Sequence, residues 1–163
     1  RSHRTFMPCS SLVAEEKGNK NFCGALKLNK NERSCRRMEI EVVDGSFSVC
    51  KAADFSGVDL SGKYTFTGVS DEENSLICLT ENVPANVTER IDCWRAMRIK
   101  GILDFSLIGI LSGILTVLAD AKIGIAAVST YNTDYIFVKK KDLGNAVDAL
   151  AEAGYKITPE RRI

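Results

Sequence analysis

The rhythm of hydrophobic and polar positions changes at Met38. Residues 1–37 show neither helical nor strand periodicity over any useful length and are rich in Lys, Arg, Asn and Ser, which predicts a poorly ordered extension. From Met38 onward short alternating runs appear: MEIEVV, SFSVCKA, KYTFTGV and SLICLT, separated by the turn-forming clusters DG, SGVDLSG and SDEEN. Four strands are expected, the last two forming a hairpin around the acidic turn Ser70 to Asn74. A second series begins near Trp94. WRAMRIKG reads as a strand, LDFSLIGILSGILTVLADAK as a helix, and GIAAVSTY with DYIFVKK as a second hairpin. Asp142 is then placed to cap a helix whose apolar members are Leu143, Ala146, Val147, Leu150 and Ala151; Gly154 stops it, and YKI closes as a strand.

The order from Trp94 is strand, helix, strand, strand, helix, strand. Such a βαββαβ unit gives an α+β fold with two helices on one face of an antiparallel sheet. The other face stays bare unless another domain or subunit covers it. The apolar run Phe105 to Ala119 falls short of the roughly 20 residues that cross a bilayer, so it reads as a buried helix. Within it, the Gly109 and Gly113 pair predicts a close approach of the helix to the sheet.

Charge sharpens the boundary at residue 37. The whole chain of 163 residues carries +1, which gives no general pull towards nucleic acid or an anionic membrane. Residues 1–37, however, hold nine basic and three acidic residues, against 13 and 18 in the remainder. The six cysteines have neither CxxC nor zinc-ligand spacing, and Cys50, Cys78 and Cys93 sit in apolar contexts expected of buried thiols. Reduced cysteines and the lack of a signal-peptide pattern at residues 1–20 predict a cytoplasmic protein.

Candidate chemistry is sparse. His3 is the only histidine, so the body offers no imidazole base, and no GxxxxGK[ST] or GxGxxG loop is present to cradle a phosphate. No enzyme activity, metal or cofactor is expected. Asp71, Glu72 and Glu73 read as a solvated acidic loop, and Lys139, Lys140 and Lys141 as lysines guarding a sheet edge. Small polar groups do gather at two connections. Leu103-Asp104-Phe105-Ser106 leads from a strand into a helix whose free N–H groups suit a carboxylate. Ser129-Thr130-Tyr131-Asn132-Thr133-Asp134 joins two strands and offers hydroxyls, an amide and a carboxylate, a set able to meet an ammonium or guanidinium. Together they could hold a zwitterion. Taken alone, Ser106 also reads as a helix cap and STYNTD as a polar turn.

The stretches LDFSLIGIL, LADAKIGI and VSTYNTDYIFV within residues 101–139 resemble the ACT domains of small double-ACT proteins and the CASTOR-type arginine sensors. SFSVCKA, KYTFTGV and ENSLICL resemble, more loosely, the divergent first half of that group. The resemblance implies a ferredoxin-like ACT domain over residues 91–163, in tandem with a divergent ACT-like half over 38–90. It further implies a non-catalytic regulatory protein that binds an amino acid between ACT units and forms a dimer; the alternative is an interaction module without a ligand. Carried over by position, the implied ligand contacts are Asp104, Phe105, Ser106, Leu107, Ile108 and Gly109, then Ser129, Thr130 and Asp134. Thr67, Gly68, Glu73 and Ser75 form a wall from the first half. Asn132 and Asn74 depart from the group's pattern, so its arginine is not transferred.

Overall fold

The computed structural model describes residues 38–101 and 109–159. Seven strands form one sheet: β1 (Glu39–Ala52), β2 (Phe66–Val69), β3 (Asn74–Leu79), β4 (Val87–Ile99), β5 (Ile125–Ser129), β6 (Asp134–Lys139) and β7 (Lys156–Thr158). Helix α1 (Ile110–Asp120) joins β4 to β5, and α2 (Leu143–Glu152) joins β6 to β7. The sheet runs β2-β3-β1-β4-β6-β5, with β7 paired to the start of β1. The architecture is a ferredoxin-like arrangement of a mostly antiparallel, curled sheet with few helices.

β1 and β4 are the long central strands, and both halves of the sheet are built on them. The second part of β1 pairs with β3, from Phe47↔Leu79 to Ala52↔Asn74, while β6 pairs with the later part of β4, from Trp94↔Lys139 to Arg98↔Tyr135. MEIEVV and SFSVCKA are therefore one strand rather than two. Their DG step is a bulge: between Val43 and Phe47, β1 runs ahead of β4, which pairs there as Ala96 and Trp94. Gly45 supplies the bend at φ 104°, a conformation open to glycine. A second irregularity falls at Cys93 on β4, at φ 64°. The closing strand also departs from expectation. β7 pairs in parallel with Glu39–Glu41, so the first segment of β1 lies between it and β4.

Three packed regions follow from the alternation of side chains. On the outer face, Ile110, Ile114 and Leu118 of α1 and Ala146 and Leu150 of α2 pack on Ile40, Met97, Ile99, Ile136 and Val138. The first half has no helix on that face; Phe55, Val58, Val83 and Val87 from irregular segments cover Cys50, Leu76 and Cys78 instead. On the inner face, Phe47 and Phe137 are fully buried and meet edge-on at 5.4 Å, and Phe66 stacks against Tyr135 at 4.9 Å. The curl thus lays Tyr64 and Phe66 over the inner face of the second half. That face is not bare there, although Ile91, in a central strand, remains 56% exposed.

Four local expectations change. Asp142 makes no side-chain cap bond, because the 3-10 turn Lys140–Asp142 already feeds α2 in helical conformation. Gly109 is exposed with open space around it, so it makes no close approach to the sheet; its φ of 86° serves the entry to α1. Cys93 is exposed, whereas Cys50 and Cys78 are buried free thiols, with burial pushing Cys78 up to about 11. Lys139 lies on an interior strand, where it stacks over Trp94 at 4.2 Å and donates to the Asp92 carbonyl at 2.9 Å. Gly154 does end α2, at φ 94°. Residues 1–37 lie outside the described residues.

Candidate functional site

Where β4 leaves the sheet, its last residue meets the β5–β6 hairpin, and the chain runs on to α1. The hairpin turn is closed by its own residues. The Thr130 backbone N–H donates to the Thr133 carbonyl at 2.8 Å, and the Thr130 hydroxyl donates to the same carbonyl at 2.7 Å. That hydroxyl also accepts the Thr133 N–H at 3.3 Å. The Thr133 hydroxyl in turn donates to the carbonyl of Ile99, tying the hairpin tip to the last residue of β4.

This bonding divides the polar set. The hydroxyls of Thr130 and Thr133 are used internally, which leaves Ser129 and Asp134 to face outward. Those two residues are cross-strand partners, and strand alternation puts their side chains on the same face as Ile136 and Ile125, the face carrying α1. Among the described residues the Asp134 carboxylate has no hydrogen-bond or ion-pair partner. Gly109 stands at the entry to α1, whose first internal bond runs from the Gly113 N–H to the Gly109 carbonyl at 2.9 Å. Asp104, Phe105, Ser106, Leu107 and Ile108 lie outside the described residues, in the connection between β4 and α1. Tyr131, at the tip, is 83% exposed.

The residues proposed as a first-half wall lie elsewhere. By register, Asn74 faces Ala52 at one end of β1, while the β5–β6 tip adjoins Ile99, opposite Ile40 near the other end. Glu73 accepts from the Ser75 hydroxyl at 2.6 Å and lies 4.0 Å from Lys51, which is equally distant from Glu89. Gly68 pairs with Ser75 on this inner face, and Thr67 points to the opposite side of β2. Glu73 and Ser75 line an open cleft of about 190 Å³ with Lys51, Glu89, Val49 and Ile91. The carboxylate Glu89 and the ammonium of Lys51 went unnoticed in the sequence, since only strand register places them beside Glu73.

No group of three or more metal-ligating side chains occurs among the described residues. Nor is any helix among them long and apolar enough to cross a membrane.

Residues 89–152 match the family model of the ACT domain. The matched span takes in most of β4, α1, the β5–β6 hairpin and α2, and so includes Ser129, Thr130 and Asp134. A protein of Agobacterium tumefaciens solved by X-ray crystallography is 27% identical, with a TM-score of 0.69 over 77% of this chain and 96% of its own. A Vibrio cholerae protein of unknown function, described as a possible transport protein, is 22% identical at a TM-score of 0.61, over 74% of this chain and 92% of its own. A C-terminal regulatory domain of aspartate kinase from Porphyromonas gingivalis shares the fold at 14% identity and a TM-score of 0.50, covering 72% and 96%. Among curated proteins, none matches the sequence. ACT domains are regulatory modules, and the match includes the β5–β6 hairpin.

Proposed function

We propose that this chain is a non-catalytic, cytoplasmic regulatory protein of two ACT units, residues 38–90 and 91–163, which binds an amino acid at the α1 end of the second unit. Asp134 receives the ligand's ammonium or guanidinium group, a charge-assisted contact favoured where the carboxylate has no partner among the described residues. Ser129 stands directly across from it. The connection from Asp104 to Gly109 supplies backbone N–H groups for the ligand carboxylate at the positive end of the α1 dipole. Thr130 shapes the turn rather than touching the ligand. Binding is passed on through self-association, in a homodimer, or to a regulated partner protein.

The single observation that carries this reading is the pairing of Ser129 with Asp134 on the helix face, the carboxylate having no partner among the described residues. The regulatory role of ACT domains and the kinship in fold to an aspartate kinase regulatory domain support it. A thermal-shift screen of the full chain against the twenty amino acids tests it. A ligand that binds only the folded protein raises the melting temperature. A clear rise with one amino acid is expected; no rise with any of them, from a folded protein, would contradict the reading and leave an interaction module.

A further inference from the structure

The aromatic cover of the inner face stops short of one end of β1. Tyr64 and Phe66 lie against Tyr135 and Phe137. Beyond Phe47, two cross-strand pairs stay open: Val49↔Ile91 and Lys51↔Glu89. Strand alternation keeps all four side chains on the face of Phe47. β6 pairs with β4 only from Trp94 onward, so among the described residues no strand flanks β4 on its other side here.

Ile91 stands out of this face at 56% exposure, beside the cleft of about 190 Å³ that Val49, Lys51, Glu73, Ser75 and Glu89 also line. An exposed apolar side chain next to a cleft with an apolar member is a knob beside a hole. The charges on the rim are only loosely matched within the chain. Lys51 lies 4.0 Å from both Glu73 and Glu89, the outer limit of an ion pair, and the Glu89 side chain is 76% exposed. A partner surface of a single sign would set a like charge against either Lys51 or the carboxylates. A second copy of this chain meets both signs. A twofold axis running along the strands, between β1 and β4, exchanges the two members of each cross-strand pair. Ile91 of one protomer then falls over Val49 of the partner subunit, and Lys51 over Glu89 of the partner subunit, each contact occurring twice. The net charge of +1 sets up no long-range repulsion between copies.

We infer that the inner face at Val49, Lys51, Glu89 and Ile91 is a face-to-face interface between two copies of this chain, related by that axis. This rests on the self-association proposed above, and not on the amino-acid site. The contact is two strands wide at its centre, so the dimer is weak and concentration-dependent. Sedimentation velocity of the full chain without ligand, from about 1 μM to about 1 mM, tests it. A rise from monomer to dimer across that range is expected; a monomer throughout would overturn both the interface and the self-association. Lys51→Glu and Glu89→Lys, each melting as the wild type does, should each weaken the dimer about tenfold or more, because they gather charges of one sign across the axis. An equimolar mixture of the two variants should associate again, since one protomer then brings two carboxylates and its partner two ammonium groups. A mixture that stays monomeric would overturn the twofold exchange. Undiminished dimer in both single variants and in Ile91→Glu would overturn the interface while leaving a homodimer built elsewhere.

Discussion

Between β4 and β5 the chain crosses through residues 100–124 and includes the 11-residue helix α1; between β1 and β2 it crosses through residues 53–65 with no helix at all. Both crossovers cover the outer face of the same sheet. The longer one buries Ile110, Ile114 and Leu118, spaced four residues apart along one helical face, while the shorter one brings down only Phe55 and Val58. What it lacks in apolar surface it replaces with local polar turns. Asp54 accepts from the N–H and hydroxyl of Ser56, and Asp59 from those of Ser61, so both carboxyls are held below the usual range. The comparison teaches that the strand pattern survives the loss of a helix.

The sharpest way to break the comparison is to remove what the halves share. Phe137 is fully buried, and its ring meets both Phe47 and Phe66, so it joins the second half to the first. Phe137→Ala should cost about 3–5 kcal/mol in urea unfolding. A smaller loss would mean that the inner face is held chiefly elsewhere.

Function separates the halves next. Asp134→Ala should weaken binding of a cationic amino acid by about 10- to 100-fold, measured by calorimetry, without loss of folded stability. The matching change Glu73→Ala in the first half should leave that affinity unaltered.

The junction between the halves is tested by Gly45→Ala. The backbone there has φ 104°, and an added Cβ would fall 2.5 Å from the Leu79 side chain. A loss of about 1–2 kcal/mol is expected, mostly from the backbone conformation, since the leucine can shift. An unchanged midpoint would show that the bulge tolerates a side chain.

The smallest effect concerns the seam where β7 joins β1. Hydrogen bonds from Lys100, Thr158 and Lys156 hold the Glu39 carboxyl at about 2, against an ordinary 4.5. Its folded value is lowered, so its contribution is present above pH 4.5 and is lost as the pH falls towards 2. Glu39→Gln should flatten the acid limb of the stability curve between those values. A wild-type and variant pair with superimposable acid limbs would remove Glu39 from that role.

The hairpins β2–β3 and β5–β6, the second helix and its stop at Gly154 were all legible from alternation and spacing, because each depends on residues near one another in sequence. The joining of MEIEVV to SFSVCKA was not, since whether Asp44-Gly45 is a turn or a bulge depends on β4, more than forty residues away. For the same reason the partner of β7 could not be read from YKI. Cys93 looked buried by its apolar neighbours Ile91 and Trp94, yet the irregularity of β4 there turns it outward. At the site, STYNTD was visible as a polar hairpin with Asp134 as its carboxylate. The division of labour within it was not, because the Thr133 hydroxyl spends itself on the carbonyl of Ile99, a contact set by the tertiary fold.

The central claim is that the second half binds the amino acid and the first does not. Hydrogen–deuterium exchange of the full chain, with and without the amino acid that raises its melting temperature most, tests this directly. Slower exchange at residues 109–113 and 129–135, with residues 66–75 unchanged, is the predicted result. Protection confined to residues 66–75 would contradict it.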